Sequence, residues 1–292
     1  MASRPAPPDW ILSGDPHRDV GRNELALRWL GTAGFEIRTA GAAILIDPFV
    51  SRPSLWSLLL RPVAPDLEAI ARYVRSADAV FVGHSHYDHL LDAPTIALRT
   101  GARFLGSEAS VRLARLAGVP DARLQRLAGG ERVTIGDLVV EPVPGVHSRL
   151  FTQCLVGGAM PEHAHLPLWF HQYKNDRVFG FRITWRGRTL YHNGSADLDA
   201  TPAGGLPVDL LLQCIPGWTA SPRIFERVRA AMTPVAIVPM HHDDYFRPLE
   251  AGFRELSVAH LAKATRRIRH DIPDAAIVES GLLREIRLAA RE

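Results

Sequence analysis

Cysteine is nearly absent from the 292-residue sequence: Cys154 and Cys214 stand in unrelated contexts with no C-x-x-C spacing. That excludes a disulfide scaffold or a thiolate zinc knuckle, and it suits reduced thiols in a cytoplasmic protein. Long apolar runs are missing as well. No stretch approaches the roughly twenty residues of a spanning helix, and the opening "MASRPAPPDWILSGDPHRDVG" has no apolar core behind its arginine. Neither a transmembrane segment nor a secretory signal is expected. Charge of one sign is not concentrated anywhere. The formal net charge is +3, and the pI near 9.1 comes from arginines spread along the chain, so nucleic acid is not an expected partner. The sequence also contains no Gly-x-Ser-x-Gly elbow and no phosphate-cradling Gly-rich loop followed by lysine, which argues against covalent serine catalysis and nucleotide-driven chemistry.

What is present is enough apolar sequence, 47% of positions, to bury a full core. After an N-terminal extension over residues 1–24, "LALRWLG", "GFEIRT" and "AAILIDPF" read as an antiparallel meander. "DLEAIARYVRSA" has helical spacing, and "AVFVGH" reads as a buried strand. A helix at "APTIALRT", a strand at "ARFLG", a helix at "SEASVRLARLAG", and strands at "ERVTIG" and "LVVEPVPG" follow. The second half repeats the idiom: "VFGFRITWRGRTLYHNG" is a hairpin turning at Arg186 and Gly187, and "VDLLLQCIPG" and "VAIVPMHH" are buried strands flanking a helix "RIFERVRAAM". With no linker between the halves, residues 25–292 read as one α/β domain with a two-sheet core. Two long stretches, "SRPSLWSLLLRPVAP" and "VGGAMPEHAHLPLWFHQYKND", have no period of either kind.

The strand "AVFVG" runs into H-x-H-x-D-H, formed by His84, His86, Asp88 and His89. Alternation puts His84 and His86 on one side of the extended chain, and a turn near Tyr87 would let Asp88 and His89 converge with them. Imidazole and carboxylate at this density suit a borderline cation: zinc, with iron or manganese as alternatives. Further ligands are expected at other strand ends, where "VPGVHSR" offers His147 and "VAIVPMHHDDYF" offers His241 and His242 with Asp243 and Asp244 behind them.

On these motifs the chain from about Leu25 onward resembles the metallo-β-lactamase fold superfamily. The hairpin "WLGTAGFEIRTAGAAILIDPF" is similar to that superfamily's first, and "PMH" matches the closing motif of the branch holding ascorbate-6-phosphate lactonase-like proteins and N-acylphosphatidylethanolamine phospholipase D. The resemblance implies a four-layer αββα sandwich and a hydrolase using a metal-bound hydroxide on a phosphodiester, ester or lactone. It implies that His84, His86 and His147 hold one ion, that Asp88, His89 and His241 hold a second, and that Asp47 buttresses the metal loop. It also implies a bridging aspartate after the later hairpin, where this chain has Ser195 in "LYHNGSADLD". Asp197 reaching in, a hydroxide bridge alone, or one weakened site would each accommodate the change, so one or two ions are expected.

Asp88 is the candidate to orient the attacking water or carry its proton, and His242 either supports the ligand His241 from behind or faces the substrate as a donor. Trp56, His171 and Tyr245 are the expected substrate-binding side chains. Leu55, Leu58, Leu59, Leu60, Leu166, Leu168, Trp169 and Phe170 either form an apolar rim for a small or lipid-like substrate or pack on the sheets, and an apolar rim is compatible with peripheral contact with a membrane. Arg52, Arg61 and Arg149 could pair with an anionic group, and His163 and His165 lie in the same aromatic loop as His171. Two other readings keep the fold: a non-haem iron redox protein, and a binding protein whose metal site has decayed at Ser195. His86→Ala is expected to strip metal and activity together, whereas Ser195→Asp retains or strengthens metal binding. Metal content per chain after gel filtration checks both, and loss of metal in Ser195→Asp would mean that another residue occupies the bridging position.

Overall fold

The apolar runs and alternating stretches resolve into two sheets in the computed structural model, which describes residues 5–14, 18–148, 158, 163–198 and 205–291. The first sheet takes β1 (Ile11–Ser13), β2 (Glu24–Gly31), β3 (Gly34–Arg38), β4 (Ala43–Ile46), β5 (Ala79–Phe81), β6 (Arg103–Gly106) and β7 (Leu124–Arg126). The second takes β8 (Val133–Ile135), β9 (Leu138–Gly145), β10 (Val178–Trp185), β11 (Arg188–Asn193), β12 (Leu206–Cys214), β13 (Met232–Met240) and β14 (Ala276–Ile277). The last strand, β15 (Glu285–Ala289), returns to the first sheet between β1 and β2. The orders are β1-β15-β2-β3-β4-β5-β6-β7 and β14-β13-β12-β11-β10-β9-β8.

Each sheet begins as an antiparallel meander and then switches to parallel pairing, at β4–β5 in the first and at β11–β12 in the second. Parallel strands need crossovers, and helices supply them. The helices α1 (Leu55–Leu60), α2 (Leu67–Tyr73), α3 (Tyr87–Leu90), α4 (Ala93–Thr100) and α5 (Glu108–Leu116) fall within the first-sheet half, where Ile70, Ile96, Ala97 and Val111 pack with Leu45, Val80 and Phe104. The helices α6 (Ile224–Ala231) and α7 (Leu261–Asp271) cover the second, packing Phe225, Val228 and Ile268 against Val208, Leu211 and Ile237. Between the sheets lies the main core, in which Phe35, Ile44 and Phe81 meet Phe181, Leu210 and Val238. Coverage on both faces explains why β12 and β13 read as continuous apolar runs rather than alternating ones. The four-layer αββα arrangement is as expected.

The β10–β11 hairpin turns at Arg186 and Gly187, both at positive φ (38° and 74°), the geometry that matches strand twist in a two-residue loop. Other boundaries differ from the sequence reading. The helix expected over residues 66–77 ends at Tyr73, because the buried, β-branched Val74 is already extended. The segment "SLWSLLL" is not irregular: Ser54 caps α1 by accepting the Ser57 N–H, but six residues are too few to show a period. Residues 11–13, expected in an extension ahead of the domain, form the edge strand β1 against β15, and Trp10 lies under the Arg188 guanidinium at 4.3 Å. Among the described residues no helix is long and apolar enough to cross a membrane.

Phe81 and Phe181 meet edge to face across the two sheets with ring centroids 5.6 Å apart, and both are fully buried. Phe181→Ala is expected to destabilise the protein by about 3–5 kcal/mol, read as a lower urea midpoint, since a hole between two sheets collapses poorly.

Candidate metal centre

The connection after β5 stays extended through His84 and His86 (φ −66°, ψ 151° at His86), then winds into α3, which turns Asp88 and His89 back toward them. His147 arrives from the end of β9, and His241 from the end of β13. The result is two adjacent triads, His84–His86–His147 and Asp88–His89–His241, in each of which one donor atom per residue lies within 4.8 Å of the others. The imidazole centroids of His84 are 3.9 Å from those of His89, 4.6 Å from His86 and 5.0 Å from His147.

Several ring nitrogens are fixed from behind. His147 Nδ1–H donates to the Ser148 carbonyl (2.8 Å), leaving Nε2 as the free donor. His89 Nδ1 lies 2.9 Å from Asp47 Oδ2, while Asp47 Oδ1 accepts the Gly83 N–H at 2.6 Å. His241 Nε2 lies 3.1 Å from Asp88 Oδ2. Yet neither ring nitrogen of His84 has a hydrogen-bond partner, nor has His241 Nδ1, although all three atoms are buried. Buried polar atoms are normally satisfied, so this donor set fits a cation. All-imidazole and imidazole–carboxylate triads suit zinc, iron or manganese.

Burial drives the titration of this site. It pushes His84 well below the ordinary histidine value, reinforced by the neighbouring imidazoles, and it lowers His147. His192 and His242 are lowered by burial too. His89 goes the other way, because the Asp47 and Asp88 carboxylates outweigh its burial. Asp88 is similar: burial alone would raise it, but His89 and His241 hold it below the usual carboxylate range.

The other expected site residues have different fates. Asp197 does not reach the cluster; its Oδ1 accepts from Arg227 Nη2 (2.5 Å) and from the Leu198 N–H (2.8 Å). Ser195 does line the space beside the triads, its hydroxyl accepting the Ser148 N–H. His242 does not line this space: its ring packs against Trp29 at 5.0 Å and Phe253 at 5.5 Å. Asp243 and Asp244 are not ligands either, since Asp243 pairs with Arg52 and Asp244 caps its own loop through the Phe246 N–H. Arg52 is therefore buried rather than free for substrate, and Arg61 donates to Ser57 Oγ. Arg149 and Cys154 lie outside the described residues.

A cavity of about 320 Å³ opens over the triads. Leu55, Leu58, Leu59, Phe170, Phe246 and Tyr245 form much of its wall, and no arginine or lysine lines it among the described residues. Tyr245 thus stands where expected, 5.3 Å from the His241 ring. Trp56 does not line this cavity and is 73% exposed on α1, and His171, also outside it, meets the Phe170 ring edge to face at 5.4 Å. Leu168 is buried, paired with Val63 across an isolated bridge, and the exposed His163 and His165 join neither triad. The sequence reading missed Tyr87, Cys214 and His192. The first two line the cavity, and His192, at the end of β11, donates Nε2–H to the Ala33 carbonyl behind it (2.7 Å).

Comparison with known proteins shows the family to which the chain belongs. Residues 26–241 match the family described as "Beta-lactamase superfamily domain". A "UPF0173 metal-dependent hydrolase" of Anaeromyxobacter sp. (strain K) is 31% identical over 267 residues, covering 88% of this chain and 87% of the relative. One from Methanopyrus kandleri is 28% identical over 232 residues, covering 77% and 87%. Among solved structures, Igni18, a metallo hydrolase from Ignicoccus hospitalis, shares the fold with a TM-score of 0.56 at 19% identity, over 92% of this chain and all of that one.

Metal-free protein is expected to lose stability as the pH falls below the ordinary histidine value of 6.5. Between that value and their depressed folded values, His84, His147, His192 and His242 stay neutral in the fold while the unfolded chain binds protons, so acid favours unfolding. His89, being raised, opposes the trend but is outnumbered. Thermal melts in chelator at pH 7.5 and pH 5.5 check this, with the lower melting temperature expected at pH 5.5.

Proposed function

The chain belongs to the beta-lactamase superfamily and is a metal-dependent hydrolase, and we propose that its substrate is a small or lipid-like molecule with a carbonyl ester or lactone, in preference to a phosphodiester. The observation that carries this reading is the cavity wall. Leucine, phenylalanine and tyrosine surround the two triads, and among the described residues no cationic side chain faces them to pair with a phosphate. The ions in this reading are zinc, one at each triad, with iron or manganese as the alternative donors' match.

Ions held by His84, His86 and His147 and by Asp88, His89 and His241 would supply Lewis acidity and a water of near-neutral pKa. The chain's own side chains do the rest. Asp88, held ionised by His89 and His241, accepts a hydrogen bond from the attacking water and orients it. Tyr245 keeps its phenol protonated because burial raises it, so it offers a neutral donor on the cavity wall. Leu55 and Leu59 exclude water on one side and meet the apolar part of the substrate.

A panel of aryl esters, lactones and bis(p-nitrophenyl) phosphate, assayed with zinc and with chelator, tests the reading. Metal-dependent turnover of esters or lactones is expected, and turnover of the phosphodiester alone would overturn it. Metal analysis with an absorption spectrum addresses the iron redox reading, which zinc alone would remove. For Leu59→Asp, KM for a hexanoyl ester is expected to rise roughly ten-fold with metal content unchanged, because about 1–2 kcal/mol of apolar contact is lost.

A further inference from the structure

We propose that the buried pair Arg52–Asp243 is a positioning device for His241, and that Gly31 is the residue that admits it. This rests on the reading that Asp88, His89 and His241 together hold an ion.

Arg52 Nη2 contacts Asp243 Oδ2 across 191 residues of sequence, with side chains only 2% and 1% exposed. Asp243 Oδ1 also accepts the Thr32 N–H at 2.8 Å. The Thr32 carbonyl in turn accepts the His241 N–H at 2.9 Å and Trp29 Nε1–H at 2.9 Å. A continuous chain of bonds therefore runs from Arg52 through Asp243 and Thr32 to the backbone of His241. Three of its members, Thr32 (φ 47°), Arg52 (φ 42°) and His241 (φ 65°), sit in the left-handed region without being glycine. Such conformations are disfavoured and persist only where surrounding bonds over-determine them.

The left-handed turn at His241 is what separates two adjacent histidines. His241 faces Asp88, and His242 goes instead to Trp29 and Phe253. Without that turn the chain would leave β13 still extended. Burying an ion pair is a weak way to gain stability, because the lost hydration offsets the attraction. Fixing a strained ligand is a better account of what this pair does. Gly31 supports the same reading: it has φ +90°, and a Cβ there would fall 1.5 Å from Arg52 Nη2 and 2.7 Å from Asp243 Oδ2. The glycine in "WLGTAG" leaves room for the guanidinium.

The test follows metal release from zinc-loaded full-length protein into a competing chelator. Three variants are compared with the parent: the double variant Arg52→Met/Asp243→Asn, which leaves no unpaired buried charge, Gly31→Ala, which displaces the guanidinium while keeping both charges, and His241→Ala as the reference. The expected result is that the ion lost in His241→Ala escapes from the other two variants at roughly ten- to hundred-fold lower chelator concentration than in the parent, the range for outer partners of metal ligands. The ion at His84, His86 and His147 stays put. An unchanged release profile in both variants overturns the proposal. So does an equal shift of both ions, which a general loosening of the fold would give. If His241→Ala releases no ion, the triad is not a metal position, and that reading falls together with the proposal.

Discussion

Five imidazoles, four of them buried, crowd around one small space, and several of their nitrogens have no partner in the protein. Each such atom costs about 1–3 kcal/mol if left unsatisfied, so a cluster of this kind is a standing cost of the apo fold. Asp47 at the end of β4, the Ser148 carbonyl beyond β9 and the Thr32 carbonyl between β2 and β3 each hold one ligand residue from behind, two at a ring nitrogen and one at the His241 backbone. A cation held by these nitrogens would remove that cost.

Strand direction explains why residues so far apart in sequence arrive together. The strands β9 and β11 both run antiparallel to β10, and β12 and β13 run parallel to β11, so the C-terminal ends of all four lie along one edge. His147, Ser195, Cys214 and His241 follow or end those strands, and the segment from His84 to His89 does so for β5 in the facing sheet. Ligand sites at the carboxyl ends of strands are what an open α/β sheet makes available.

This edge rule is also why so much was legible in the sequence. Apolar runs of strand length ending in histidine identify both the elements and the place where they converge, so His84, His86, His89, His147 and His241 could be singled out without coordinates. What the sequence could not show was which neighbour would claim each remaining polar group. Asp197 is taken by Arg227, thirty residues on, and Asp243 by Arg52 from the opposite half of the chain. Nor does spacing tell His241 from His242, because a single left-handed residue decides which of them turns inward. The helix α1 and the strand β1 escaped because six and three residues carry too little pattern to register.

The two sheets share one further property with a consequence for association. Their four outermost strands, β1, β7, β8 and β14, contain only two or three residues each. These four strands themselves give another chain little backbone to extend as a new strand, which blunts edge-to-edge pairing along them. A contact between copies at these four strands would rest on side-chain surfaces instead.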